Sequence, residues 1–155
     1  MNPEDVKKPF VLEVPVFADD RGIFSPFLDA GRHADLFLAT GGVKRVYYVY
    51  NHAAGVVRGF HYHKKEWKIF NVVKGAMKFV AINPEDPKEM YTFVSSDRKN
   101  QLVVIPPLYA NGLVSLEPGT ILVCASNLTT EESFKADDKR FDPYMWGDVW
   151  GVKGR

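Results

Sequence analysis

The stretch that decides the fold is VVRGFHYHKKEWKIFNVVKG, which runs from Val56 to Gly75. Both of its halves are rich in β-branched and aromatic residues, which predicts two strands of one hairpin. His61 and His63 are two residues apart in the first strand, so their imidazoles should point to the same side. Two histidines on one face indicate a metal site, a proton-transfer site or a purely structural pair.

Short runs of the same character continue along most of the chain between turn signals. They read FVLEVPVF, VKRVYYVY, VVRGFHYH, WKIFNVV, AMKFVAI, MYTFVSS, QLVVIPP and TILVCAS. Many short strands with regular punctuation predict an antiparallel sandwich or barrel. The piece DAGRHADLFLATGG predicts one short helix that ends at its glycine pair. In the tail, we expect Tyr144, Trp146 and Trp150 to pack on the barrel or on a second subunit.

Length and composition narrow the class of protein. The 155 residues predict a single domain over 1–155, and 46% hydrophobic with 25% charged residues is ordinary for a globular chain. A net charge of +1 argues against a nucleic-acid partner. No apolar run has the length of a signal peptide or a membrane span, which predicts a cytoplasmic protein without membrane contact. The single cysteine, Cys124, is expected to be buried.

The spacing around the histidines resembles the first metal motif of the cupin barrel. Gly55, His61, His63 and Gly75 fit this motif, but its glutamate position is occupied by Lys68. Glu66 comes two residues too early for that position.

The second cupin motif is also incomplete, because Asn111 stands where its histidine should follow Pro106. The chain therefore resembles a cupin that has two of the four metal ligands. We predict an all-β, cupin-type jelly-roll β-barrel with one or two short helices.

Lys68 changes the chemistry that this motif can support. An ammonium repels a divalent cation, and two histidines fall short of the three or four ligands of a metal site. The same ammonium can stabilise the oxyanion that forms when a proton leaves the carbon beside a ketone, and a histidine can take that proton. We therefore predict no metal and no other cofactor. Because burying Arg58, Lys68 and two histidines is costly, we expect an anionic ligand such as a nucleotide diphosphate.

Four segments resemble the dTDP-4-dehydrorhamnose 3,5-epimerase family, whose members are metal-free cupins that act on a nucleotide-linked 4-keto-6-deoxy sugar. They are DDRGIF, NHAAGVVRGFHYH, WKIFNVVKG and NQLVVIPPLYANGLVSL, and the resemblance covers residues 17–127. A second, local resemblance of KRVYYVY and RGFHYHKK is to the dTDP-sugar 3,4-ketoisomerases, which move the ketone along the ring. His63 favours this second group, because the epimerases usually carry glutamine there.

The resemblance implies roles for individual residues. His61 would be the general base, Lys68 would stabilise the enolate, and His63 would share proton shuttling in a ketoisomerase. Either Tyr47 or Tyr48 would line the site. The substrate-binding residues would be Arg21, Tyr48, Asn51, Arg58, Tyr109 and Asn111.

Two departures from the epimerase pattern bear on the reaction. The position of the epimerase's catalytic tyrosine is assigned to Val123, with Tyr109 as one candidate substitute. The aspartate that orients the catalytic histidine belongs to a C-terminal segment that this shorter chain is expected to lack. We expect the acidic and basic residues 137–140 to form a solvated turn.

These observations favour a nucleotide-sugar epimerase or isomerase of the dTDP-4-dehydrorhamnose 3,5-epimerase type. It would act without metal on the ketone of a dTDP-linked 4-keto-6-deoxy sugar in polysaccharide biosynthesis. We expect a homodimer that exchanges N-terminal strands. The alternatives are a dTDP-sugar 3,4-ketoisomerase, a non-catalytic sugar-nucleotide binding protein and, third, a metal-dependent oxygenase.

Overall fold

The computed structural model describes residues 5–154, and within that range the chain is mostly β. The elements are one 3₁₀ turn (Asp5–Lys7), twelve strands and two α-helices. The strands are β1 (Phe10–Glu13), β2 (Phe17–Asp19), β3 (Gly22–Phe24), β4 (Arg45–Asn51), β5 (Val57–Tyr62), β6 (Lys68–Lys74), β7 (Ala76–Ile82), β8 (Met90–Ser96), β9 (Gln101–Ile105), β10 (Ala110–Ser115), β11 (Thr120–Ser126) and β12 (Lys139–Arg140). The helices are α1 (Ala34–Thr40) and α2 (Thr130–Ala136).

Ten of these strands form two five-stranded antiparallel sheets. The first sheet has the order β1-β9-β6-β11-β4, and the second has the order β12-β5-β10-β7-β8. Apolar side chains from both sheets meet between them, including Phe70, Phe79, Val103 and Leu122. Because each strand alternates its side chains, these residues share one inward face. The all-β prediction with two short helices is confirmed.

The predicted hairpin over residues 56–75 is wrong. β5 pairs with β10 and β12, whereas β6 pairs with β9 and β11. The segment between His63 and Lys68 crosses from the second sheet to the first instead of making a tight turn. His61 and Lys68 therefore lie on opposite sheets, so that the space between the sheets separates them.

The outer faces of the sheets are covered by different parts of the chain. α1 buries Leu36 against the first sheet and ends at Gly41, which adopts a left-handed conformation with φ 72°. This confirms the predicted short helix and its glycine stop. The C-terminal tail covers the second sheet, where the rings of Trp146 and Trp150 lie 5.0 and 4.8 Å from that of Phe60.

Two further expectations can be compared with the described residues. Cys124 is fully buried between the sheets, as predicted. Tyr144, unlike the two tryptophans, is more than half exposed. Neither helix within residues 5–154 combines the length and hydropathy that crossing a membrane requires.

Candidate active site

A cavity of about 260 Å³ opens between the two sheets beneath α2. Strands of both sheets and the C-terminal segment that follows β11 contribute to its wall. Its lining residues are Arg45, Tyr47, His61, His63, Lys68, Thr130, Ser133, Phe134, Asp138 and Arg140.

The two histidines share this cavity, as their spacing predicted, and Asp138 lies between them. The Asp138 Oδ1 atom is 3.5 Å from His61 Nδ1 and 4.0 Å from His63 Nε2. Burial lowers the pKa of both imidazoles below the usual value, and nearby carboxylates oppose that shift. Both rings are therefore neutral at neutral pH, which is the form that can accept a proton.

Lys68 projects into the cavity from the opposite sheet. Its Nζ atom lies 2.6 Å from Glu66 Oε1 and donates a hydrogen bond of 3.2 Å to the Tyr47 hydroxyl. A lysine ammonium has three donors, so one N–H remains for a ligand. Burial raises the pKa of Tyr47, so its phenol stays protonated.

Glu66, which the motif comparison passed over, lies at the centre of the polar contacts beside this cavity. Its carboxylate is fully buried and also accepts hydrogen bonds from Arg45, Ser126 and Ser133. Burial alone would raise the pKa of Glu66, but Lys68 and the hydroxyl donors outweigh it and lower that pKa to about 2. The group is thus a permanent anion beside Lys68.

The segment after α2 is not a solvated turn, which corrects the expectation for residues 137–140. Asp137 accepts the backbone N–H groups of Lys64, Lys65 and Glu66 at 2.7, 2.9 and 2.8 Å. These bonds anchor the crossing segment, and they bring Asp138 to the histidines. The sequence predicts that this chain lacks the aspartate that orients the catalytic histidine in the epimerases. The structure nevertheless places an aspartate, Asp138, beside His61.

A sequence signal for this segment existed. Thr129 and Glu132 form a capping box at the start of α2, a pattern that predicts a helix start. The position of α2 over the cavity had no such signal, because it depends on tertiary contacts.

Val123, the residue assigned to the epimerase tyrosine position, does not face the core between the sheets. Leu122 and Cys124 point into the core between the sheets, whereas Val123 lies on the other face of β11. Cys124 is therefore the inward residue nearest Tyr47. Burial raises the pKa of the Cys124 thiol to about 11, so neither residue replaces the missing acid.

The six residues expected to bind substrate are not among the residues that line this cavity in the described part of the chain, and their role stays a prediction. They are Arg21, Tyr48, Asn51, Arg58, Tyr109 and Asn111. Tyr48 is exposed because alternation along β4 turns Tyr47 inward and its neighbour outward. Strand alternation could have decided between these two tyrosines.

Each of the other five has a local partner elsewhere. Arg58 donates to Asn51, and Arg21 pairs with Asp19 in the β2–β3 hairpin. Tyr109 donates to Glu89, and Asn111 donates to the backbone carbonyl of His61.

Residues 5–154 contain no group of three histidine, cysteine, aspartate or glutamate side chains placed to bind a metal ion. The metal-free site stays a prediction that rests on the charge of Lys68.

A comparison of the sequence with models of known protein families identifies the family of this chain. The model of the FdtA family, described as WxcM-like, C-terminal, matches residues 7–146. The chain belongs to this family, which is a family of sugar-nucleotide 3,4-ketoisomerases. No curated protein sequence matches the chain.

Solved structures share the fold at low sequence identity. The dTDP-4-dehydrorhamnose 3,5-epimerase from Sulfolobus tokodaii is 24% identical with a TM-score of 0.77, over 94% of this chain and 82% of that one. ChmJ, a 3'-monoepimerase from Streptomyces bikiniensis in complex with dTDP-quinovose, gives 19% and 0.77, over 100% and 83%. The 3,4-ketoisomerase QdtA from Thermoanaerobacterium thermosaccharolyticum, in complex with TDP-4-keto-6-deoxyglucose, gives 19% and 0.70, over 86% and 88%.

These similarities confirm the predicted cupin fold of the RmlC type. The family match supports the ketoisomerase alternative better than the epimerase that the sequence analysis preferred.

Proposed function

We propose that this protein is a metal-independent 3,4-ketoisomerase that acts on a dTDP-linked 4-keto-6-deoxy sugar. The observation that carries the proposal is the pair of neutral imidazoles on either side of Asp138, in one cavity with the Lys68 ammonium. The family and the ligand of QdtA support the choice of reaction and substrate.

The reaction moves a ketone by two proton transfers at carbon. His61 takes the proton from C3, and the electrons of that C–H bond form the C3–C4 double bond of an enediolate. The free N–H of Lys68 stabilises the negative oxygen. A protonated imidazole then returns a proton to C4, the hydroxyl proton passes from O3 to O4, and the ketone is left at C3.

The placement of the histidines favours isomerisation over inversion. His61 lies in β5 on the second sheet and His63 follows the last residue of that strand, so both address the same side of a bound sugar. Inverting a carbon requires an acid on the opposite side, and the inward position on β11 holds the buried thiol of Cys124. Returning the proton to the neighbouring carbon needs only the side that the histidines occupy.

The charge of the cavity suits a diphosphate. Arg45, Lys68 and Arg140 contribute three positive charges to the lining, against one negative charge from Asp138 and one from Glu66, which lies beside Arg45 and Lys68. Arginine binds phosphate oxygens through paired donors, which fits the bridge between nucleoside and sugar.

The test is proton NMR of dTDP-4-keto-6-deoxyglucose in heavy water with the purified protein. We expect loss of the C3 proton signal, deuterium at C4 of the product and a 3-keto spectrum. Absence of exchange with this substrate and with other nucleotide-linked 4-keto sugars would reject the enzyme and support the binding-protein alternative.

A 3-epimerase is the second candidate, because Lys68 occupies the position of the epimerase lysine. The same experiment separates the two reactions. An epimerase would place deuterium at C3 and keep the ketone at C4.

We also propose that the protein is a homodimer. Val46, Tyr48 and Tyr50 are more than half exposed on the outer face of β4, which is an edge strand. The β2–β3 hairpin, whose Phe17, Ile23 and Phe24 are similarly exposed, adds a second apolar surface.

Light scattering after size exclusion tests the dimer. A Val46→Glu, Tyr48→Glu double variant should elute with the mass of one chain. Val94→Glu, at an exposed position on the edge strand β8, is the matched control and should leave the mass unchanged. A monomeric wild-type protein would reject the proposal.

A further inference from the structure

The carboxylate of Glu66 is buried beside the cavity, and its contacts with the cavity lining give it a part in the candidate site. It does not line the cavity, yet it contacts four residues that do. Its Oε1 atom is 2.6 Å from Lys68 Nζ and 2.5 Å from Arg45 Nη2. Its Oε2 atom accepts from Ser133 Oγ at 2.5 Å and lies 3.2 Å from His63 Nδ1. Glu66 thus connects residues of both sheets and of α2.

The charges around Glu66 require an anion at this point. Arg45 and Lys68 have mostly buried side chains, with 17% and 10% of their surface exposed, and the Glu66 carboxylate is fully buried. Removing one partner of a buried ion pair leaves an uncompensated charge, which is strongly unfavourable. Without Glu66, the two cations would repel each other, and their side chains would move apart towards solvent.

The donors of Lys68 are directed by the same contact. One N–H binds Glu66 and another binds the Tyr47 hydroxyl. These two bonds determine where the third N–H points, which is where the proposed reaction needs a donor. The orientation of Lys68 is therefore a consequence of Glu66 as much as of its own position on β6.

Glu66 is also tied to the base. Its backbone N–H donates to Asp137, and its side chain accepts from Ser133 on α2. Asp138, the next residue after that anchor, lies beside His61. The distance between Lys68 on one sheet and His61 on the other thus depends on Glu66, which lies between them in the chain.

We propose that Glu66 is a positioning residue that orients Lys68 and Arg45 and couples them to the segment carrying Asp138. The inference rests on the proposed function for its kinetic part only. A positioning anion and a merely structural residue differ in one respect: removing the anion should impair turnover while improving the binding of an anionic ligand.

The test combines Glu66→Gln with steady-state kinetics and calorimetric titration of dTDP. We expect kcat to fall about 100-fold, because misplacing a reacting group by about an ångström has that effect. We expect dTDP to bind about threefold more tightly or better, because the site gains one net positive charge. KM should fall or stay unchanged.

Two variants make the outcome independent of folding. Glu66→Asp keeps the charge but withdraws the carboxylate by one methylene, so kcat should fall while dTDP affinity stays within twofold. Glu89→Gln removes a carboxylate that also accepts from three side chains, outside the cavity, and should change neither quantity.

Equal loss of kcat and of dTDP affinity in both Glu66 variants would overturn the inference, as would a kcat within threefold of wild type. If the wild-type protein shows no turnover, the proposed function fails by itself. In that case unchanged or weaker dTDP binding by Glu66→Gln overturns this inference as well.

Discussion

Glu66 and Glu89 each accept hydrogen bonds from several side chains, but the two carboxylates differ in burial and in the charge of their partners. Glu66 is fully buried between two cations beside the histidine cavity. Glu89 is partly exposed and accepts from Asn83, Tyr91 and Tyr109, which are neutral donors. Its one cationic neighbour among the described residues is the exposed Lys8, at 3.8 Å. The second arrangement fastens a loop to the sheet. The arrangement at Glu66 holds two cations close together in the cavity, although they would repel each other without the carboxylate. The proposed proton abstraction beside a ketone requires a cation held in place in this way.

We expect the largest effect from replacing His61, the proposed base in the cavity beside Glu66. His61→Asn should lower kcat about 1,000-fold, because it removes the imidazole that is assigned to take the C3 proton. Deuterium uptake from heavy water is the measurement. The matched control is His52→Asn, at an exposed position outside the cavity, which should retain wild-type exchange. Equal exchange in both variants would assign the base to another residue.

Replacing the cation should have the next largest effect. Lys68→Met should lower kcat about 100-fold, because the enediolate loses its charged donor. Lys74→Met, at the exposed end of the same strand, is the control. A Lys68 variant with normal kcat and raised KM would show that the lysine binds the diphosphate instead.

Asp138 should affect both rate and pH dependence. Burial lowers the pKa of His61, and Asp138 opposes that shift. Activity should therefore decline as the pH falls below the ordinary histidine value of 6.5, where the imidazole becomes charged. Asp138→Asn removes the opposing charge, so the pKa of His61 should fall further and the acid limb of kcat/KM should move to lower pH.

We expect this variant to lose about tenfold in kcat, because the imidazole loses its orienting partner. Asp86→Asn, in an exposed loop, is the control. An acid limb that moves to higher pH would contradict the assigned contact.

The remaining effects concern stability and return to the two carboxylates. Glu66→Gln should destabilise the fold by about 3 kcal/mol near neutral pH, because it leaves buried cations uncompensated. Glu89→Gln should cost about 1 kcal/mol or less, since its donors are neutral and partly exposed. Urea unfolding followed by tryptophan fluorescence measures both.

The stability difference between wild type and Glu66→Gln should depend on pH in a predictable direction. Folding lowers the pKa of Glu66 from 4.5 to about 2, so its stabilisation is fully present above pH 4.5. It is lost as the pH falls towards about 2. The difference between wild type and Glu66→Gln should shrink over that window, and a constant difference would show that the charge is not responsible.

The residues that sequence reasoning located are those whose placement follows from local geometry. The two histidines share a face because strands alternate, and Lys68 was recognised because it replaces an expected ligand. Glu66 and Asp138 were missed, because their roles depend on which segments meet. Six proposed substrate contacts were placed by resemblance, and none of them lines the cavity within the described residues.

The amino-acid sequence alone determined the all-β class, most of the strands, the short helix before Gly41 and the common side to which His61 and His63 point. Each of these depends on alternation, turn chemistry or residue type within a few positions. Tertiary structure decided that β5 and β6 lie on opposite sheets, that α2 covers the cavity and that Asp138 stands beside His61. Hydrogen bonds between segments about seventy residues apart decide these features, and no pattern within either segment specifies its partner.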